Sequence, residues 1–278
     1  VALENFWNGF ASARKDIVLI VCASATSWML SKVVHNKGGL YNRLTEQIHL
    51  RTFCLRECEA YVKAAGLVLN RNQILQYYMI FGGVPYYWGF LKKGLSLSQN
   101  IDSILFEKDA PLRNEFKYLY ASVFKKPENY VKIIEALGTK KVGMTREEII
   151  TGTKIPNSGD LTTKLEELES CGFIRKYNAF GMKKKNAIYQ LMDCFTLFYF
   201  KFLKSEPTDE HFWTNQINTP AVNTWLGLAF ERVCMEHVDQ IKFKLGISGV
   251  LTEVNSWYCE SDPDNGIFGS QIDMLIAR

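Results

Sequence analysis

The residues with the clearest chemical potential lie between Asp16 and Leu50. The apolar run Ile17–Cys22 has the length and composition of a buried strand. It ends in a small polar turn, Ala23-Ser24-Ala25-Thr26-Ser27, that carries hydroxyls. A strand of that kind delivers its hydroxyls to the carboxyl edge of a parallel sheet, where open α/β sheets bind ligands. Arg43 follows a helical spacer, and its guanidinium can clamp phosphate oxygens with a bidentate fork. The stretch reads as the second half of a nucleotide-binding domain whose first half is absent from the chain. Ordinary strand-end and N-cap chemistry for Ser24 and Thr26, and pairing of Arg43 with Glu46, are the structural alternatives. A second set is acidic. Glu231 falls in a helix, and Asp273 interrupts an otherwise apolar strand (Ile272, Met274, Leu275, Ile276). Paired carboxylates suit Mg²⁺, which prefers oxygen ligands. A third set is basic. Lys183-Lys184-Lys185 form the polar tip of a predicted hairpin, and Thr162, Thr163 and Lys164 lie on the helix before it. Lysines there suit phosphate contacts that position a protein without reading sequence. Glu166, Glu167 and Glu169 on the same helix would repel a nucleic-acid backbone if they faced it.

These groups need elements to hold them. The pattern predicts a helix over 1–16, strands over 17–22 and 47–51, and a helix over 26–35. Residues 53–125 read as all-helical, with Gly82-Gly83 ending one helix, Pro85 following it and Pro111 as a first-turn proline. Residues 127–192 give three helices and a β-hairpin. Thr145-x-x-Glu148 is a capping box, Asn157-Ser158 a cap, and the strands run 173–177 and 187–191. This order is that of a winged helix-turn-helix. An aromatic-rich connector helix over 193–218, a helix over 221–245 and two strands over 249–257 and 270–276 complete the chain. A strand at its extreme end leads one to expect more sheet.

The ordered blocks CASATSWM, LYNRLTEQIHL, YYMIFGGVPYYWGFL, SLSQNIDSILFEKDAPLRNEF, the winged helix, AFERVCMEHV and GSQIDMLIAR cover essentially the whole chain. Together they resemble the archaeal and bacterial ATPases of the AAA/STAND superfamily that end in a domain similar to the P-D-(D/E)-x-K nucleases. The resemblance implies an α/β plus α architecture. Residues 1–52 would be the C-terminal part of an ATPase core, 53–125 a helical lid, 126–192 a winged helix, 193–220 a connector, and 221–278 the N-terminal part of a nuclease-like domain. It implies that Ser24 and Thr26 occupy the sensor position. Arg43 would act on phosphate charge, and Gly83-Val84-Pro85 would be the G-x-P element whose proline packs on nucleotide. A helix C-cap followed by a stop proline explains the last of these without a ligand. The resemblance also makes Glu231 and Asp273 a metal-site remnant that lacks its Glu-x-Lys strand. The implied cofactors are ATP and Mg²⁺. The implied partners are nucleotide, DNA through the winged helix, and a protein partner or second copy.

The sequence also contains no G-x-x-x-x-G-K-[S/T] and no Gly-Lys pair, so the main phosphate grip of such an ATPase is missing. The expectation is a fragment that hydrolyses no ATP by itself and binds ATP and Mg²⁺ weakly. A net charge of +4 over 278 residues neither demands nor excludes nucleic acid. The seven cysteines are scattered without C-x-x-C spacing, which fits reduced thiols and a cytoplasmic location. Cys234 and His237 share a helix face, but no second pair completes a zinc site. No apolar run is long enough to span a membrane.

Overall fold

The structure, a computed structural model, describes residues 2–22, 45–46, 48–180, 187–259, 261–262, 265–266 and 268–278. Within them the protein is mixed α/β, with helices predominating and two small antiparallel sheets. Among the described residues no helix is long and apolar enough to cross a membrane.

The N-terminal stretch departs from its pattern. The predicted helix is short, α1 at Ala2–Gly9, followed by a 3₁₀ turn at Ala11–Ala13. Residues 17–22 and 48–51 form no strand, which corrects the expectation of a buried strand at 17–22 and a short strand at 47–51. Val18 and Ile20 are 85% and 84% exposed. A strand exists only as a partner, and no described residue pairs with either segment, so apolar character alone leaves both irregular. The predicted helix over 26–35 lies outside the described residues.

The helical body follows as expected. α2 spans Leu55–Ala64, α3 Arg71–Phe81, α4 Pro85–Trp88, and α5 Leu97–Ile101. A π-helical turn, Asp102–Phe106, and α6, Glu115–Val123, complete it. Pro111 lies in the turn before α6 rather than in its first turn. Local chemistry fixes the starts. Asn70 and Ser96 accept from the backbone N–H of Gln73 and Gln99, whose side chains reach back to the cap N–H groups.

The next unit has α7 at Glu128–Gly138, the short strand β1 at Met144–Thr145, α8 at Arg146–Thr153 and α9 at Gly159–Ser170. Strands β2, Ile174–Tyr177, and β3, Ile188–Leu191, follow. Thr145 and Glu148 form the capping box, and Ser158 caps α9. β3 is central, pairing Thr145 with Ile188 on one side and Ile174 with Leu191 on the other.

The connector is not one helix. α10, Cys194–Phe198, runs into a π-helical turn, Tyr199–Leu203. After a loop through Pro207 comes α11, Phe212–Gln216. Pro207 cannot continue a helix, and Glu206 before it has φ +49°. The last helix also breaks, into α12, Pro220–Glu236, and α13, Val238–Lys244, at His237. β4, Glu253–Cys259, and β5, Ser270–Ala277, then pair antiparallel from Glu253 with Ala277 to Cys259 with Ser270.

One apolar core runs without interruption from Cys58 in α2 through the three-helix unit to Val233 in α12. The Tyr120 and Thr196 hydroxyls bond within it at 2.9 Å, and Phe198 packs on Phe106, Phe202, Trp213 and Trp225. Burial pushes the Cys58 thiol up to about 12 and Cys194 well above its ordinary value, so both behave as small apolar groups.

Candidate functional site

The Gly82–Pro85 corner is built by close backbone approach. α3 ends at Gly82, whose φ +59° and ψ −157° are accessible essentially to glycine alone. Its carbonyl accepts the Trp88 indole N–H at 2.8 Å. Gly83 is buried against Phe53. A Cβ there would stand 1.9 Å from the Phe53 carbonyl oxygen. The Phe53 N–H donates to the Gly83 carbonyl at 2.8 Å, and the Tyr78 hydroxyl donates to the Phe53 carbonyl at 2.9 Å. Gly83 therefore serves chain contact rather than an open surface. Pro85, the first residue of α4, is exposed beside Tyr86, itself 62% exposed.

Two residues beyond Phe53 the same segment is fastened to the far end of the chain. The Leu55 N–H, one of the orphan donors at the start of α2, donates to His237 Nε2 at 2.9 Å. His237 Nδ1 lies 2.8 Å from the Val233 carbonyl oxygen. Because Nε2 accepts, it carries no proton, and Nδ1 is the donor. Both ring nitrogens are occupied, so the Cys234–His237 face offers no imidazole to a metal. The ring also stands edge-on to Tyr78 at 5.2 Å.

α12 carries Glu231 six residues before His237. Lys141 Nζ lies 2.9 Å from its Oε1, and Arg232 Nη1 lies 3.9 Å from its Oε2. Arg232 is buried. Its Nε donates to the Leu191 carbonyl at 3.2 Å and its Nη2 to the Lys141 carbonyl at 2.6 Å. Burial lowers the pKa of Arg232, and the neighbouring Glu231 carboxylate opposes the shift. Asp273 is half-buried in β5 and accepts from Gln271 Nε2 at 2.5 Å. Arg175 lies close by. Its Nε donates to Gln190 Oε1 at 2.7 Å, its guanidinium sits 4.3 Å over the Tyr177 ring, and burial pushes it down to about 10. Among the described residues no group of three or more His, Cys, Asp or Glu side chains is arranged to hold a metal ion.

The basic set is less open than its sequence suggests. Thr163 is exposed, and its hydroxyl donates to the Gly159 carbonyl at 3.2 Å. Lys164 is turned down, 12% exposed, 2.5 Å from Asp160 and 5.4 Å over the Tyr130 ring. Glu167 points inward to the Tyr130 hydroxyl, while Asp160, Glu166 and Glu169 stay exposed. The outer face of α9 is therefore acidic. Beyond β2, the Phe180 N–H donates to the Ser256 carbonyl at 2.8 Å, where a register shift between Asn255 and Trp257 turns that carbonyl outward. A cleft of about 500 Å³ lies beside this contact, between the two sheets, with Lys140, Thr145, Tyr177, Trp257 and Gln271 in its walls.

Ser24, Thr26, Arg43, Lys183, Lys184 and Lys185 lie outside the described residues. Of the remaining site residues, Gly83 and Pro85 share one corner. Glu231 pairs with Lys141 and lies beside Arg232, Asp273 is bonded to Gln271 in β5, and Thr163 and Lys164 point in different directions. No family model, curated protein or solved structure matches this chain. Two residues that fix the surroundings, Lys141 at Glu231 and Asp102 at the start of α11, had no role in the sequence reading, and His237 was weighed there only as a metal ligand beside Cys234. Only Asp102 carried a signal, as a charge inside the apolar run Ile101–Phe106.

Proposed function

We propose that this chain is the moving part of a nucleotide-driven switch of the AAA/STAND class. In this reading the helical body from 53 to 125 is the lid, and the unit from 126 to 192 is a winged helix. Glu231 and Asp273 belong to the nuclease-like output, and Ser24, Thr26 and Arg43 are accessory groups of an ATP site. The observation that supports it most is the fastening of Phe53–Leu55. The segment leading out of residues 24–43 enters the helical body at the Gly-x-Pro corner. Two residues later it is tied to His237, at the end of the helix that carries Glu231. A shift of the corner would thereby be passed to the carboxylate helix through one backbone hydrogen bond and the two bonds of the His237 ring. Exposed Pro85 and Tyr86 supply an apolar surface on which a nucleotide can pack.

Saturation-transfer NMR with ATP tests the reading. Weak binding, with a dissociation constant on the order of 1 mM, is expected because the phosphate loop is absent. Transfer to the adenine protons should fall in Pro85→Gly and disappear in Arg43→Ala. Mg²⁺-dependent hydrolysis should stay at background. No transfer at several times that concentration, or turnover abolished by Arg43→Ala, would contradict it.

For the winged helix, protein docking is favoured over DNA. The outer face of α9 presents Asp160, Glu166 and Glu169, and Lys164 is held by Asp160. Such a face repels phosphates.

A further inference from the structure

The two π-helical turns, Asp102–Phe106 and Tyr199–Leu203, meet at one cleft. Each closes with a long-step backbone bond, from the Glu107 N–H to the Asp102 carbonyl at 2.9 Å and from the Lys204 N–H to the Tyr199 carbonyl at 2.8 Å. Single π-helical turns are rare and recur at functional sites. The cleft has a volume of about 160 Å³. Leu105 and Phe106 of the first turn and Tyr199 and Leu203 of the second line it, with Phe116 stacked on the Tyr199 ring at 3.9 Å. A cavity of roughly 150 Å³ with apolar walls takes up one benzene ring.

The polar part of the lining is cationic. Arg113 is half-buried there. Its Nη1 donates to the Phe106 and Glu107 carbonyls, and its Nη2 donates to the Pro207 carbonyl at 3.0 Å. These bonds tie the loop through Pro207 to the first π-helical turn. They use three of the five N–H groups of a guanidinium. Among the described residues, Nε–H and one N–H of Nη2 have no partner, and no carboxylate pairs with this side chain. Carbonyl oxygens satisfy hydrogen bonds but leave the charge unbalanced. Lys117 is a second cation in the lining. Its Nζ stands 3.8 Å from Glu206 Oε1, and both side chains are largely exposed, so the pair is weak and exchangeable.

We propose that this cleft binds a small carboxylic acid whose apolar body is about the size of one ring. The carboxylate takes the two unused N–H groups of Arg113, because a planar guanidinium meets a planar carboxylate in two parallel hydrogen bonds. Lys117 turns from Glu206 to the same group. The apolar body covers Leu105, Phe106, Phe116 and Leu203. Inorganic phosphate matches the charge but leaves those walls uncovered. The site goes beyond the nucleotide reading and shares no site residue with it.

Calorimetric titration of the full chain with benzoate, paired with saturation-transfer NMR, tests the assignment. A dissociation constant on the order of 1 mM or lower is expected, with benzamide, which keeps the shape and lacks the charge, at least about tenfold weaker. Two exposed positions should respond with opposite signs. Lys117→Glu should weaken benzoate at least about fivefold, and Glu206→Gln, which frees Lys117, should tighten it about twofold. Arg113→Lys keeps a cation without the fork and should abolish saturable binding, with circular dichroism checking the fold. If that variant unfolds, the two exposed substitutions decide. Absence of saturable benzoate binding by the wild type at about 10 mM would overturn the site. So would equal binding of benzoate and benzamide, or an affinity that neither Lys117→Glu nor Glu206→Gln changes. Displacement of benzoate by equimolar inorganic phosphate would overturn the carboxylic-acid class.

Discussion

Asp102→Ala should destabilise the protein by roughly 3–5 kcal/mol, read as a fall in the urea midpoint at unchanged slope. Asp102 is buried in the π-helical turn, and its carboxylate serves a helix far along the chain. It accepts from the Trp213 N–H at 2.7 Å, the Thr214 N–H at 3.1 Å and the Thr214 hydroxyl at 2.5 Å. The first two are orphan donors at the start of α11. Truncation leaves the Trp213 N–H without a partner inside the core and the Thr214 N–H without one at its edge, and removes buried volume. Asp102→Asn keeps one acceptor and should lose only about 1–2 kcal/mol. A fall below about 1 kcal/mol for the alanine variant would mean that α11 is anchored by its apolar face alone.

Gly83→Ala should cost about 3 kcal/mol or more, because the new methyl cannot be accommodated by rotating a side chain. It would meet the carbonyl oxygen, nitrogen and carbonyl carbon of Phe53 at 1.9, 2.6 and 2.7 Å. Relief requires Phe53 to withdraw, which breaks its hydrogen bonds to Gly83 and Tyr78 and pulls Leu55 away from His237. The effect should therefore reach α12, and the edge-on Tyr78–His237 contact should loosen with it. Gly227→Ala is the matched control. Gly227 lies on the exposed side of α12, where a Cβ meets nothing within 4 Å, so this variant should gain up to about 1 kcal/mol of helix propensity. Thermal unfolding of the two variants side by side checks both signs.

What the sequence made legible was local. The Thr145–Glu148 capping box and the Ser158 cap follow from residues within a few positions of one another, and they form as read; the strand pair β2–β3 also forms where it was read. The N-terminal strands did not follow, because an apolar run specifies a strand only when a neighbour pairs with it, and Val18 and Ile20 have none among the described residues. The aromatic spacing over 193–218 hid a break that Pro207 enforces. For the site, Gly83-Val84-Pro85 was read as a G-x-P element or as a helix end with a stop proline, and nothing in the sequence signalled the close backbone contact of Gly83 with Phe53. The ties that connect the site join residues 90, 182 and 111 positions apart: Lys141 with Glu231, Leu55 with His237, and Asp102 with Trp213. No local pattern encodes such pairings.

Coupling between the Gly-x-Pro corner and the carboxylate helix is most directly measured by amide hydrogen exchange with and without saturating ATP. Slowed exchange should appear together at residues 53–57 and 231–237 and vanish in Arg43→Ala. His237→Ala, which cuts the tie, should keep the first response and lose the second. An unchanged pattern in the wild type, or a response at 231–237 that survives His237→Ala, would contradict transmission through this contact.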